Sequence, residues 1–191
     1  MKKIVFDIET KNIFQDVGRA DPTLLDISLV GLYDYETDQY LTFLQEDFPK
    51  LWPYFEKADL VIGYNSDHFD LPLLNKYYPG NLSKIKSLDL LAEIKKSLGR
   101  RIGLGAVAEA SLGVGKSANG LEAVEWWKNG EIEKIKKYCI DDVRVTKDLY
   151  EYMKKNKRVL YRNDGEIQNL PINTKGWDDE ADAGMTYSLG F

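Results

Sequence analysis

The chain is poor in the residues that build most cross-links and many catalytic centres. Its 191 residues include one cysteine, Cys139, and one histidine, His68. A lone cysteine cannot close an internal disulfide and one thiol does not make a zinc site, so cysteine chemistry drops out and a reducing compartment is expected. A Ser-His-Asp hydrolase or a multi-histidine metal centre would rest on His68 alone. No apolar run approaches the roughly 20 residues that span a bilayer. Met1-Lys2-Lys3 leads into the short Ile4-Val5-Phe6 rather than a secretory leader, so the expected location is the cytoplasm, away from membranes. What remains is 43% hydrophobic and 30% charged, which excludes bulk disorder and suits one medium domain with a sizeable core. Aspartate and glutamate number 31, and carboxylates are left to carry any chemistry.

The net charge of -5 is unevenly spread. Residues 1–83 hold 14 acids and 7 bases, residues 84–162 hold 11 acids and 18 bases, and residues 163–191 hold 6 acids and 1 base. A basic middle in an acidic chain reads either as a phosphate-attracting face or as solvated helix surface.

The hydrophobic pattern predicts a strand over Lys2–Asp7 and an antiparallel meander from Ile27–Tyr33 and Gln39–Leu44. Helix and strand patterns then alternate: helix over Phe48–Lys57, strand over Leu60–Tyr64, helix over Leu71–Tyr78, and a short strand over Ser87–Asp89. Short amphipathic helices follow over Leu90–Leu98, Leu104–Leu112 and Leu121–Lys128, and the longest runs over about 131–155. The expected class is α/β, a mixed sheet of antiparallel and parallel strands flanked by helices. Within residues 158–172, Asp164-Gly165 marks the tight turn of a β-hairpin. Residues 173–191 read as an acidic, flexible tail in which Trp177 and Tyr187 offer a docking peptide. The body is thus 1–157, with hairpin and tail as extensions and as candidate contacts for a protein partner.

Asp7 and Glu9 are two apart near the end of the first strand, so both side chains leave the same face. Adjacent anions at the end of an apolar strand are costly unless a cation neutralises them, which points to a divalent metal. By itself the pair is weak evidence, since an exposed acid beside a turn-capping acid is ordinary. A second acid cluster follows the buried strand that ends at Gly63-Tyr64-Asn65, at the kind of strand carboxyl end where α/β sheets gather their sites. There Asp70 reads as the cap of the following helix, as a ligand, or as both, and Asp67 competes for the ligand role. In the long helix, Asp142 lies at 3,4 spacing from Tyr138, Cys139, Val145 and Thr146, with Leu149 a turn further along the same stripe, on the inward side. Asp141 has Lys137 and Arg144 as local partners and reads as solvated.

Two phosphate-site lookalikes fail. Gly113-Val114-Gly115-Lys116-Ser117 has Ala110 where a P-loop needs glycine, and Gly103-Leu104-Gly105 follows no strand. Lys116, Arg100 and Arg101 stay as candidate phosphate contacts. His68 reads as exposed or as lying behind the site, Asp89 as structural or an outer ligand, and Trp126 and Trp127 as one core residue and one surface contact.

Phe6-Asp7-Ile8-Glu9-Thr10, Asn65-(three residues)-Phe69-Asp70 and Tyr138-(three residues)-Asp142, in this order, resemble the three motifs of the DEDD superfamily of 3′-to-5′ exonucleases. The tyrosine form of the third motif resembles the subgroup that includes polymerase proofreading domains and RNase D, and Lys137 stands where the other subgroup has histidine. The resemblance covers roughly residues 1–155 and implies an RNase H-like fold and an active site of Asp7, Glu9, Asp70, Tyr138 and Asp142. It implies two Mg²⁺ or Mn²⁺ ions, one on Asp7, Glu9 and Asp142, the other on Asp7 with Asp70 directly or through water. It gives Tyr138 the orienting of the attacking water. Asn65 is expected to hold the loop before Asp70, and Phe69 to pack beneath it or stack on a base. The expected substrate is a single-stranded 3′ end of DNA or RNA, which reaches a recessed site more easily than a duplex. The alternatives are a non-catalytic nucleic-acid-binding domain of the same fold and an endonuclease.

Overall fold

Alternation along the first strand decides how the layers stack. β1 (Lys3–Thr10) sends Ile4, Phe6 and Ile8 into one core and Val5 into another on the opposite side. In the computed structural model, which describes residues 1–115 and 120–179, the chain continues through α1 (Phe14–Val17), β2 (Ile27–Asp34) and β3 (Gln39–Leu44). Next come α2 (Phe48–Lys57), β4 (Leu60–Gly63), α3 (Asp70–Asn75), β5 (Ser87–Asp89), α4 (Leu90–Leu98) and α5 (Leu104–Leu112). The chain then forms α6 (Gly120–Lys128), α7 (Ile132–Asn156), β6 (Arg158–Asn163) and β7 (Glu166–Pro171).

The five strands of the main sheet lie in the order β3-β2-β1-β4-β5. β1 pairs antiparallel with β2 and β2 with β3, whereas β1–β4 and β4–β5 are parallel. The fold class is therefore the expected α/β mixed sheet with helices on both faces. One face is covered by α2 and α3, where the Phe6 and Phe55 rings meet edge to face at 5.1 Å. The other carries α7, whose Val143, Leu149 and Met153 join Val5 and Ile62. Covered on both sides, β2 is buried along its whole length, as its unbroken Ile27-Ser28-Leu29-Val30 run requires.

Several boundaries differ from the sequence reading. β1 does not stop at Asp7 but runs to Thr10, because Glu9 still pairs with Leu29 of β2. α3 is shorter than expected and begins at Asp70 itself. The hairpin β6–β7 forms in the expected place, with Asp164 at φ 52° and Gly165 at φ 84°, the two positive values that a type I′ turn needs. It is held to α5 by Ser111, whose Oγ accepts from Leu160 N at 2.8 Å.

Residues 173–179, the described part of the expected tail, lie against the body. Trp177 is buried and stacked on Tyr150 of α7 with ring centroids 6.0 Å apart, so a large apolar ring anchors an otherwise polar stretch. Residues 180–191, Tyr187 among them, lie outside the described residues. No described helix is long and apolar enough to cross a membrane.

Candidate active site

Three distant segments are brought to one place by strand register and one close helix approach. β1 pairs with β4 only over Lys3–Val5, so Asp7 and Glu9 project past the carboxyl end of β4, where the chain turns toward α3. On the other side Asp7 faces Gly31 of β2. A Cβ at Gly31 would lie 2.7 Å from Cys139 Sγ and 3.1 Å from Val143 Cγ2. The missing side chain lets α7 rest against the sheet beside Asp7, and this delivers Asp142. The sequence signal for Gly31 is slight, a glycine within the apolar run Val30-Gly31-Leu32, which marks a close backbone approach.

The resulting cleft encloses about 630 Å³ and is lined by Asp7, Glu9, Asn65, Phe69, Asp70, Tyr138 and Asp142, together with residues of the loop after β1 and the start of α6. All five expected active-site residues therefore converge. Among the described residues, no lysine, arginine or histidine lines it.

Burial and mutual repulsion set the electrostatics. Burial pushes Asp7 well above the usual carboxylate range, and the charges of Glu9, Asp142 and Asp70 push it further, against a hydrogen bond from Cys139. Glu9, only 6% exposed, is raised by burial and then by Asp142 and Asp70. Asp70 is pushed up to about 7 by burial, with backbone hydrogen bonding partly offsetting it. Such mutual repulsion is what a dication relieves, and the hard oxygen donors of four carboxylates fit Mg²⁺ or Mn²⁺.

Cys139 Sγ also lies within 4.8 Å of ligand oxygens of Asp7 and Glu9. Burial and the three acids hold its thiol far above its normal pKa, so it stays protonated and donates toward Asp7 O at 3.5 Å and Asp7 Oδ2 at 3.8 Å. It belongs to the packing beneath the carboxylates.

Tyr138 is pushed strongly upward by burial, then by the charges of Asp142 and Glu9, and its hydroxyl hydrogen-bonds Asp142. It is a neutral phenol at any physiological pH. Its ring is set by the edge of Trp126, 5.9 Å away at 72°. Trp126 and Trp127 do not divide into core and surface. Both are half-buried because α6 lies at the rim, Trp126 against Tyr138 and Trp127 beneath Lys11 Nζ at 4.9 Å.

Asp142 sits at the edge of the buried stripe of α7, which runs through Ile135, Cys139, Val143 and Thr146, and so it faces the cleft without entering the core. Asp141 pairs with Arg144, as its spacing suggested.

The other candidates separate. Phe69 packs edge to face on Phe14 at 6.0 Å while keeping one side on the cleft. Arg101 bonds Asn65, but Arg100 turns to the hairpin, its guanidinium 5.9 Å from the Tyr161 ring centre. Lys116 lies outside the described residues. His68 and Asp67 are exposed and do not line the cleft. Asp89 is buried and caps α4.

The chain belongs to the RNase_H superfamily, whose family model matches residues 4–154. In structure it is similar to the family B DNA polymerase from the hyperthermophilic archaeon Pyrobaculum calidifontis, with a TM-score of 0.61 and 21% identity over 81% of this chain. The match takes in only 24% of the polymerase, so this chain spans about a quarter of that protein's length. No curated protein matches the chain in sequence. Superfamily membership suggests nuclease chemistry.

Proposed function

We propose that the chain is a metal-dependent 3′-to-5′ exonuclease of the tyrosine DEDD type, acting on single-stranded nucleic acid. One observation carries the reading: acids from β1, α3 and α7 meet in a buried cleft whose described lining has no basic side chain. Asp7, Glu9 and Asp142 would hold one Mg²⁺ or Mn²⁺, and Asp7 with Asp70, directly or through water, the second. Bound there, the ions would make a water nucleophilic near neutral pH and neutralise charge on the phosphate and leaving oxygen.

The protein groups do the rest. The hydroxyl of Tyr138 commits its proton to Asp142 and keeps lone pairs for a water proton, so it orients the nucleophile without serving as base. Asn65 and the exposed side of Phe69 border the space for the terminal nucleotide. A recessed metal site is reached more easily by one strand than by a duplex.

Oligonucleotides labelled at either end, incubated with Mg²⁺ or Mn²⁺, test this directly. Stepwise shortening from the 3′ end by wild type, with Asp142→Ala leaving the substrate intact, is the expected result. Linearisation of a circular single strand would identify an endonuclease instead. Metal-independent binding without cleavage would favour a domain that only binds nucleic acid.

A further inference from the structure

The loop that delivers Asp70 is gripped from outside the cleft. Its apex, Asn65, has φ 66°, in the left-handed region that few residues other than glycine and asparagine occupy without strain. Asn65 O accepts from Phe69 N at 3.0 Å and His68 N at 3.3 Å, which closes the turn immediately before Asp70. Two residues from the end of the neighbouring strand β5 and beyond hold this apex. Asp89, at the end of β5 and only 5% exposed, accepts from Asn65 N through Oδ1 at 2.8 Å and from Asp67 N through Oδ2 at 3.3 Å. The same Oδ1 accepts from Leu91 N at 2.9 Å and Ala92 N at 3.2 Å, so one carboxylate caps α4 and pins the turn together. Arg101 donates from Nη2 to Asn65 Oδ1. Next to it, the Tyr64 hydroxyl donates to Ile102 O at 2.7 Å, a second tie between the loop and the α4–α5 connection.

Neither Asp89 nor Arg101 lines the cleft. An exposed arginine beside a nucleic-acid site is ordinarily assigned to a phosphate, and a strand-end aspartate to a metal. Here both are already engaged by the turn. We propose that Asp89 and Arg101 are positioning residues that set the Asn65 turn, and through it the placement of Asp70 and of the Asn65 amide. The inference rests on the exonuclease reading for its consequences, though the grip itself does not. With Oδ1 taken by Arg101, the Asn65 side chain has its Nδ2 hydrogens left for the cleft, so it suits an acceptor oxygen of the terminal nucleotide.

Binding of a fluorescent single-stranded oligonucleotide, measured with Ca²⁺ in place of Mg²⁺ across a salt series, separates positioning from phosphate contact. Arg101→Ala and Asn65→Ala are expected to weaken binding by similar factors, the double variant no further, with the salt slope unchanged. Full additivity together with a slope reduced by about 0.7 would make Arg101 a phosphate ligand and overturn its part.

For Asp89, amide hydrogen exchange at Asn65 and Asp67 in the metal-free protein is read alongside Mn²⁺ affinity by calorimetry. Asp89→Ala is expected to speed exchange at both amides and weaken Mn²⁺ about 10-fold or more, as loss of a group that orients a ligand does. Asp89→Asn, which keeps an acceptor, should fall between and covers the case in which the alanine variant does not fold. Unchanged exchange and unchanged Mn²⁺ affinity in the asparagine variant and any folded alanine variant would overturn the proposal. A wild type that binds no oligonucleotide would sink the exonuclease reading, while amide exchange would still report on the grip.

Discussion

Two groups of carboxylates in this molecule are treated in opposite ways. Asp7, Glu9 and Asp70 crowd together without basic neighbours in the cleft, Glu9 and Asp70 buried and Asp7 half-buried, and desolvation and neighbouring acids raise all three. Asp178, in the C-terminal segment, sits 3.6 Å from Lys3 Nζ, pairs with Lys154 and accepts from the Tyr150 hydroxyl at 2.7 Å. Burial works against its charge, but those partners win and hold it down at about 2. The first group stores repulsion at the point where a cation would bind. The second uses charge to fasten the chain end across the start of β1 and the end of α7. Unbalanced charge thus marks the candidate site, and balanced charge the anchoring of the C-terminal segment.

The sharpest way to break this contrast is Asp7→Asn. Activity should fall about 10³-fold or more, yet the metal-free protein should melt about 2–4 °C higher because one repelling charge is gone. A lower melting point in EDTA would refute the account of stored repulsion. Trp177→Ala should do the reverse, costing about 3 kcal/mol in denaturant unfolding while leaving Mn²⁺ affinity within twofold of wild type. Gly31→Ala lies between the two regions. Overpacking against Cys139 should cost about 1–3 kcal/mol and weaken metal binding as well, because α7 carries Asp142.

The two effects of pH have opposite signs. Asp70 is raised from 3.8 to about 7 on folding, so its contribution is fully present below pH 3.8 and is lost as pH rises through 7. Asp178 is lowered from 3.8 to about 2, so its contribution is present above pH 3.8 and lost as pH falls through 2. Thermal unfolding in EDTA should therefore show stability declining between pH 4 and 7, and saturating Mg²⁺ should remove that decline. Asp178→Asn should shrink the acid limb, leaving the part that Asp26 carries, and spare the decline between pH 4 and 7.

Much of the site was legible because secondary structure has fixed periods. A period of two put Asp7 and Glu9 on one face, and 3,4 spacing chose Asp142 over Asp141. The hairpin turn was legible in Asp164-Gly165. What escaped depended on neighbours distant in sequence. Arg100 and Arg101 are adjacent and chemically identical, but one meets Tyr161 and the other Asn65, and no local rule tells them apart. Trp177 lies in an acidic, aperiodic stretch and is buried because the apolar cluster around Tyr150 and Leu88 receives it. The second role of Asp89 required β5 to lie beside β4, which brings the Asn65 turn within reach.

The sequence by itself determined which side chains share a face, where elements begin and end to within a few residues, and that carboxylates are left to carry any chemistry. Those properties arise from backbone geometry and residue type, which act over a few positions. Only the tertiary structure decided that four acids from three segments would meet in a cleft without a described counter-charge, and which polar groups would be engaged around them. Those outcomes depend on strand order, register and the depth at which α7 settles over Gly31, all products of packing across the whole chain.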